Sequence, residues 1–141
     1  MADRALLDTN ILVYAVESGG PAASKSQLAR LAIGQPRACV STQILGEFYA
    51  ATTSARRASP LTHVEAVAWI QFWKRLEVLD VTVAHVDLAV EIVDDYRVNY
   101  YDALILATAR LGDCRVVLSE DLSHGQDYGG VVVRNPLDAR Q

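Results

Sequence analysis

The sequence predicts an α/β fold in which helices pack on both sides of a largely parallel sheet. Short apolar runs alternate with longer amphipathic segments along the chain, which is the pattern of strand–helix–strand units. The chain has 141 residues, of which 51% are hydrophobic and 21% charged. This length and composition suit one domain, 1–141, with a core large enough to fold unaided.

Apolar runs of three to five residues predict strands, and apolar residues at helical spacing predict helices. In chain order we expect a strand at 4–7, helices at 11–17 and 24–33, a strand at 37–41, a helix at 43–50, a helix from 62 through Trp73, a strand at 78–81, helices at 85–96 and 101–111, and strands at 115–118 and 131–133.

Capping residues and helix breakers delimit these elements. One of residues 8–10 can cap the first helix, and Thr42 can cap the third. The segment 62–65 is a capping box for the fourth helix. The segment 18–21 breaks the chain after the first helix, and Gly112 is a stop signal for the last one.

The formal charge of −4 and the isoelectric point near 5.3 argue against a protein that binds bulk duplex DNA through a basic surface. Two bound divalent cations would bring this net charge to zero. Cys39 and Cys114 stand at the heads of apolar runs and indicate buried thiols instead of a disulfide framework. Residues 1–4 show no signal-peptide pattern, and charges interrupt every long apolar segment, so we expect a cytoplasmic protein without a membrane span.

Four acidic residues lie within or directly after apolar runs, where a charge is unfavourable without a partner. They are Asp8, Glu47, Asp102 and Asp121. Asp8 and Asp121 follow predicted strands, and the other two fall early in predicted helices. Because ligands bind outside the carboxyl ends of parallel strands, we expect all four carboxylates to meet in one site. Hard oxygen ligands suit a divalent cation, so a metal-dependent enzyme is the leading interpretation.

Each acid also has a structural explanation. Asp8 could serve simply as a helix cap, and Asp121 could simply form a turn. Asp102 could be placed where its negative charge is stabilised by the macrodipole of its helix. Glu47 can face solvent, although its helix is otherwise apolar, and Gly46 beside it predicts close packing at that point. The placement of all four acids at one sheet edge favours a shared site over four independent accidents.

Other polar residues give weaker signals. His63, His85 and His124 are too scattered for a zinc site, and no Ser–His–acid or Cys–His arrangement can be defended from spacing. Arg56 and Arg57 follow the third predicted helix and are either solvated or able to meet a phosphate backbone.

Several segments, in a fixed order, are similar to those of a known family. They are 6–12 (LLDTNIL), Glu47 on its apolar helix, 101–109 (YDALILATA) and 118–122 (LSEDL), followed by Gly129, Gly130, Val132, Asn135 and Pro136. Together they resemble a PIN domain of the VapC type over essentially the whole chain.

This resemblance implies a three-layer sandwich with a central, mainly parallel five-stranded sheet. It also implies an endoribonuclease that depends on Mg²⁺ or Mn²⁺ and acts as the toxin of a toxin–antitoxin pair. Asp8, Glu47 and Asp102 match the three main acidic positions of the family, and Asp121 matches a fourth, more variable one. All four are therefore the expected catalytic and metal-binding residues.

The resemblance extends to accessory residues and partners. Thr9 and Ser119 match polar positions near the metal, and Asn10 matches a supporting position. A small cognate antitoxin is expected to lay a helix in an apolar groove and reach the acids with a basic side chain, and a homodimer is expected. The candidate groove residues are Leu45, Phe48, Tyr49, Trp69 and Trp73.

The chemistry of Mg²⁺ agrees with hydrolysis of RNA phosphodiesters by a metal-activated water, since Mg²⁺ keeps several waters and takes few carboxylates directly. We expect 5′-phosphate and 3′-hydroxyl products and a single-stranded loop as target.

Two alternatives stay open. One is a phosphohydrolase with Asp8 as covalent nucleophile, a class that generally has a second Asp where this chain has Asn10. The other is a non-catalytic module whose acidic pocket receives a partner's Arg.

Overall fold

A computed structural model describes residues 3–17 and 20–138 of the chain, and within them it contains five strands and six α-helices. The strands are β1 (Ala5–Leu7), β2 (Ala38–Ser41), β3 (Glu77–Leu79), β4 (Val116–Leu118) and β5 (Val132–Arg134). The helices are α1 (Thr9–Ala15), α2 (Ala23–Ile33), α3 (Thr42–Thr53), α4 (His63–Trp73), α5 (Val83–Tyr96) and α6 (Tyr100–Leu111), with a 3₁₀ turn at Gly20–Ala22. The predicted α/β class is confirmed.

The order of elements agrees with the sequence prediction, and most bounds shift by one to three residues. The cap of α3 is Ser41, whose Oγ accepts from the Ile44 N–H at 3.2 Å, so the assignment to Thr42 is wrong. The Thr42 hydroxyl instead accepts from the Val81 N–H at 3.1 Å, which ties α3 to the segment after β3. The capping box of α4 is confirmed. The predicted break at 18–21 lies partly outside the described residues.

All strand pairs are parallel, and the strand order is β3-β2-β1-β4-β5. Parallel strands in one sheet are joined by right-handed crossovers, which places α1 to α4 on one face. The connection from β3 to β4 runs in the opposite direction, so α5 and α6 cover the other face and pack along each other. The predicted three-layer sandwich is therefore present.

The central strands β1 and β4 are neighbours, and the chain leaves them in opposite directions, towards β2 and β5. Such a reversal opens a crevice at the carboxyl ends of the two strands, where α/β proteins bind ligands. The Asp8 N–H donates to the Leu118 carbonyl at 2.9 Å and holds the two strand ends together. Asp8 and Ser119, the residues that directly follow β1 and β4, therefore lie at this crevice.

The core is densest where the three central strands meet the helices. Strands β1, β2 and β4 are buried along their whole length, and α6 is buried continuously over 103–109. On the other face, Phe48 packs edge-on against Trp73 at 5.9 Å between ring centroids. None of the helices described has the length and apolar character needed to span a bilayer.

Gly46 lies on the exposed side of α3. A Cβ built on it would have no heavy atom within 4 Å, apart from its own chain neighbours and helix backbone. The expectation of close packing at Gly46 is therefore wrong. Gly112 shows the opposite situation, because a Cβ there would lie 2.8 Å from the Leu79 Cδ1 atom and 3.0 Å from the Thr108 carbonyl oxygen.

We expect Gly46→Ala to raise the free energy of unfolding by about 0.5–1 kcal/mol, because alanine loses less backbone entropy in a helix and the site has room for it. Urea unfolding should measure this gain. Gly112→Ala is the matched control and should destabilise the protein, since its Cβ meets atoms that must move. A loss of stability in Gly46→Ala would show that α3 does not accept a Cβ at this position.

Candidate functional site

Asp8 stands between β1 and α1 and is only 4% exposed to solvent. It is the N-cap of α1, and its Oδ1 accepts from the Thr9 N–H at 2.6 Å. Its Oδ2 accepts from the Ser119 hydroxyl at 2.7 Å and from the Asn10 amide at 3.4 Å. The capping role foreseen for Asp8 is thus real, and the carboxylate also faces the crevice after β4.

Burial raises the pKa of Asp8 to about 6 from an ordinary value of 3.8. The hydrogen bonds from Ser119 and Thr9 oppose this rise because they stabilise the charged form. The negative charges of Asp121 and Asp102 raise the pKa further. The three aspartates are therefore close enough to repel one another.

Asp102 lies in the first turn of α6 and is half-buried. Burial is the largest cause of the raised pKa of Asp102, and the negative charges of Asp121 and Glu47 raise this pKa further. Its carboxylate accepts no hydrogen bond and forms no ion pair within 3–17 and 20–138. It is a partly desolvated anion without a polar partner in the part of the chain described.

Glu47 lies one turn into α3 and is half-buried. The Thr9 hydroxyl donates to its Oε1 at 2.8 Å, and the Gln43 amide donates to its Oε2 at 3.2 Å. The same Gln43 amide donates to the Tyr101 carbonyl oxygen at 3.2 Å. Gln43 thus links the helix that carries Glu47 to the helix that carries Asp102.

Asp121 lies in the loop after β4 and is exposed. The Asn10 amide donates to its Oδ2 at 3.0 Å, and its backbone N–H donates to the Ser119 Oγ at 3.0 Å. The Glu120 N–H donates to the Asn10 Oδ1 at 3.2 Å. Asn10 therefore fixes this loop against α1.

The four predicted acids thus form one cluster. The hydroxyl and amide groups of Thr9, Asn10 and Ser119 connect Asp8, Glu47 and Asp121, while Asp102 adjoins them only through charge repulsion. Gln43 belongs to the same network, although the sequence reasoning missed it. Its position one turn before Glu47 on the same helix was the available signal, because residues four apart lie on one face. Among the residues described, the three histidines and the Arg56–Arg57 pair form no hydrogen bond or ion pair with the four acids. Arg57 instead forms a salt bridge with Glu17 at 2.8 Å.

The donor set fits a divalent cation in its chemistry. Carboxylate and carboxamide oxygens are hard ligands, and the acids form no salt bridge among the residues described. No three His, Cys, Asp or Glu side chains in 3–17 and 20–138 are arranged to hold one ion together.

A separate apolar groove of about 350 Å³ lies between α2 and α4. Ile33 and Gly34 line one side, and Trp69, Phe72 and Trp73 line the other. Trp69 stacks on Trp73 at 5.3 Å between ring centroids, and Phe72 is 47% exposed.

Two of the predicted groove residues, Trp69 and Trp73, line this groove. Phe48 is fully buried and cannot line any groove, so that expectation is wrong. Leu45 packs against the core, and the Tyr49 hydroxyl hydrogen-bonds the His63 ring at 3.0 Å.

Comparison with known proteins gives a family for the chain. The sequence model of the PIN domain family matches residues 5–125, which include all four acids. None of the curated proteins with which the sequence was compared matches it.

Solved structures share the fold at low sequence identity. A chain of a toxin–antitoxin complex from Klebsiella pneumoniae is 19% identical with a TM-score of 0.68, over 94% of this chain and 97% of that one. VapC20 of Mycobacterium tuberculosis, a sarcin–ricin loop cleaving toxin, is 23% identical with a TM-score of 0.63, over 83% and 91%. DNA-bound VapBC of Salmonella typhimurium contains a chain 20% identical with a TM-score of 0.67, over 96% and 99%. These likenesses show a shared architecture.

We expect Asp8→Asn to stabilise the protein at neutral pH in the presence of a chelator. Because the pKa of Asp8 is raised from 3.8 to about 6, the folded state bears a desolvation cost that grows as pH rises from about 4 to about 6 and is constant above. The gain at pH 8 should reach at most about 3 kcal/mol. Urea unfolding between pH 4 and pH 8 should measure it.

Asp94→Asn, an exposed substitution on α5, is the matched control and should show no such pH dependence. A gain for Asp8→Asn that is equal at pH 4 and pH 8 would contradict the assigned burial cost.

Proposed function

Because the chain belongs to the PIN domain family, we propose that it is a divalent-metal-dependent endoribonuclease and the toxin of a VapC-type toxin–antitoxin pair. The observation that carries the proposal is the cluster of four acids at the crevice between β1 and β4. A desolvated Asp8 beside Asp102 and Asp121 has a strong electrostatic reason to bind a cation. One protein with the same fold is a sarcin–ricin loop cleaving toxin, which supports RNA as the substrate class.

Asp8 and Asp102 would hold the ion, since they are the two acids whose charged forms burial disfavours most clearly. When bound, Mg²⁺ or Mn²⁺ would supply charge stabilisation at the scissile phosphodiester and acidify a water molecule. Glu47 and Asp121 would accept hydrogen bonds from waters between the ion and the protein.

The neighbouring side chains orient these acids. Ser119 and Thr9 hold both oxygens of Asp8 by hydrogen bonds. Gln43 and Thr9 hold Glu47 from two sides, and the second bond of Gln43 to the start of α6 keeps Glu47 in register with Asp102. Such preorganisation lets the site act without rearranging during the reaction.

In the proposed reaction, a water oxygen forms a bond to phosphorus while the bond from phosphorus to the 3′ oxygen breaks. The leaving oxygen takes a proton, which gives a 3′-hydroxyl, and the other fragment keeps a 5′-phosphate. The ionised acids repel the phosphate of RNA, and a bound cation would offset this repulsion.

We expect the purified protein to cleave single-stranded RNA with Mg²⁺ or Mn²⁺ and to lose this activity in a chelator. Asp8→Asn and Asp102→Asn should each lower the cleavage rate at least about 100-fold, because each removes a carboxylate proposed to hold the ion. Gel analysis of labelled RNA with end-group mapping measures the rate and the products.

Asp94→Asn carries the same change of charge at an exposed position on α5 and should cleave like the unmodified protein. Metal-dependent cleavage that survives both Asp8→Asn and Asp102→Asn would refute the assignment.

For the partner, we propose a small antitoxin with an apolar segment that fills the groove of Ile33, Trp69 and Phe72. Chains of this fold occur in toxin–antitoxin complexes, including VapBC bound to DNA.

We further propose that the 141 residues act as one domain in the cytoplasm. Val83, Val86 and Val90 form an exposed stripe on α5 and offer an apolar surface for a homodimer.

We expect Phe72→Arg to weaken the complex with the cognate antitoxin at least about tenfold, because it places a charge in an apolar contact. RNA cleavage by the free protein should not change. Titration calorimetry with the antitoxin measures the affinity, and Val64→Arg, a change at another exposed apolar residue of α4, is the control. Equal affinities of both variants would place the antitoxin contact elsewhere.

A further inference from the structure

A cleft of about 340 Å³ adjoins the four acids between α1, α3 and the loop after β4. Thr9, Asn10 and Asp121 belong both to the acid cluster and to the wall of this cleft. Val13, Tyr14, Ala51 and Glu120 supply the remainder of the wall. A ligand bound at the acids would therefore have this cleft directly beside it.

Tyr14, Lys25 and Glu120 form a polar rim along the cleft. The Tyr14 hydroxyl donates to Glu120 Oε1 at 2.9 Å, and Lys25 forms a salt bridge with Glu120 Oε2 at 2.6 Å. The Lys25 ammonium also lies 5.0 Å from the centroid of the Tyr14 ring. The Lys25 side chain remains 41% exposed and lines a neighbouring cavity, which shares Glu120 with the cleft.

We propose that this cleft binds one nucleotide of single-stranded RNA next to the scissile phosphate, with its base against Tyr14 and a backbone phosphate at Lys25. The assignment rests on the proposed function, because it takes the scissile phosphate to lie at the acids. It makes Tyr14 and Lys25 substrate-binding residues outside the metal cluster.

The chemistry of the cleft matches a nucleotide in three ways. An aromatic ring with small apolar neighbours, Val13 and Ala51, accepts the flat face of any base. The Asn10 side chain provides polar atoms at the edge, as recognition of unstacked bases requires. A volume of about 340 Å³ is within the range of small-ligand sites.

The charges beside the cleft are also compatible with a nucleotide. Lys25 neutralises Glu120, so this wall of the cleft does not add to the repulsion that Asp121 exerts on phosphate. An ammonium held beside an aromatic ring is a phosphate contact that is fixed in place before RNA arrives. The Lys25 end of the cleft therefore repels a phosphate less than the neighbouring acid cluster does.

The test measures binding of fluorescein-labelled octauridylate by anisotropy in a chelator, where no cleavage is needed. Tyr14→Leu should raise the Kd at least about fivefold through lost stacking, and Tyr14→Phe should stay within about twofold. Ala51→Glu should also weaken binding, and it alters only an exposed position, which covers the case of a Tyr14→Leu protein that fails to fold. Tyr96→Leu, the same substitution at the end of α5 on the other face of the sheet, is the matched control and should bind normally.

The salt dependence separates a phosphate contact from a structural role. Lys25→Gln should reduce the slope of log K against log salt by about 0.7, the value for one phosphate of a single strand. Lys74→Gln removes the same charge at the end of α4 and should leave the slope unchanged. Equal slopes for both lysine variants, or unchanged Kd values for both Tyr14→Leu and Ala51→Glu, would overturn the proposal.

These outcomes are independent of cleavage. RNA binding that depends on Tyr14 in a protein without nuclease activity would support the cleft and refute the proposed function. Cleavage that requires Asp8, together with RNA binding that does not change on substitution of Tyr14 or Lys25, would support the proposed function and refute the cleft.

Discussion

The carboxylate of Asp8 is held almost without solvent at the meeting point of β1, α1 and β4, and the remainder of the site is arranged around it. Its backbone N–H binds the Leu118 carbonyl, and its side chain caps α1. The same carboxylate accepts the Ser119 hydroxyl. These bonds require an oxygen acceptor at this position, while burial disfavours its charge. The fold thus keeps a strained anion at the centre of its crevice, and a cation would relieve that strain.

Three consecutive residues connect this carboxylate to two of the other acids, Glu47 and Asp121. Asp8 contacts the strand end of β4, Thr9 donates to Glu47 on α3, and Asn10 donates to Asp121 in the loop. Asp8 and the first turn of α1 therefore connect the strand end of β4, helix α3 and the loop after β4. A local sequence of three polar residues after a buried strand organises groups that lie 38 to 111 residues away along the chain.

The polar crevice and the apolar groove are built by different parts of the molecule. The crevice forms where the direction of the chain reverses between β1 and β4, and its polar atoms come from strand ends and first helical turns. The groove between α2 and α4 is lined by the half-buried Trp69, the exposed Phe72 and the buried Trp73. The nucleotide cleft continues the crevice along α1, so substrate and partner would meet mainly different surfaces of the chain.

The sequence by itself determined the α/β class, the order of the elements and the four acids at one sheet edge, because apolar periodicity and strand-end placement are local signals. It could not give the strand order, and hence the switch point, because pairing depends on contacts between distant segments. It also could not assign Gln43, the cap at Ser41, the burial of Phe48 or the open surroundings of Gly46. Each of these depends on which neighbour faces a side chain, and only the packing of helices on the sheet decides that.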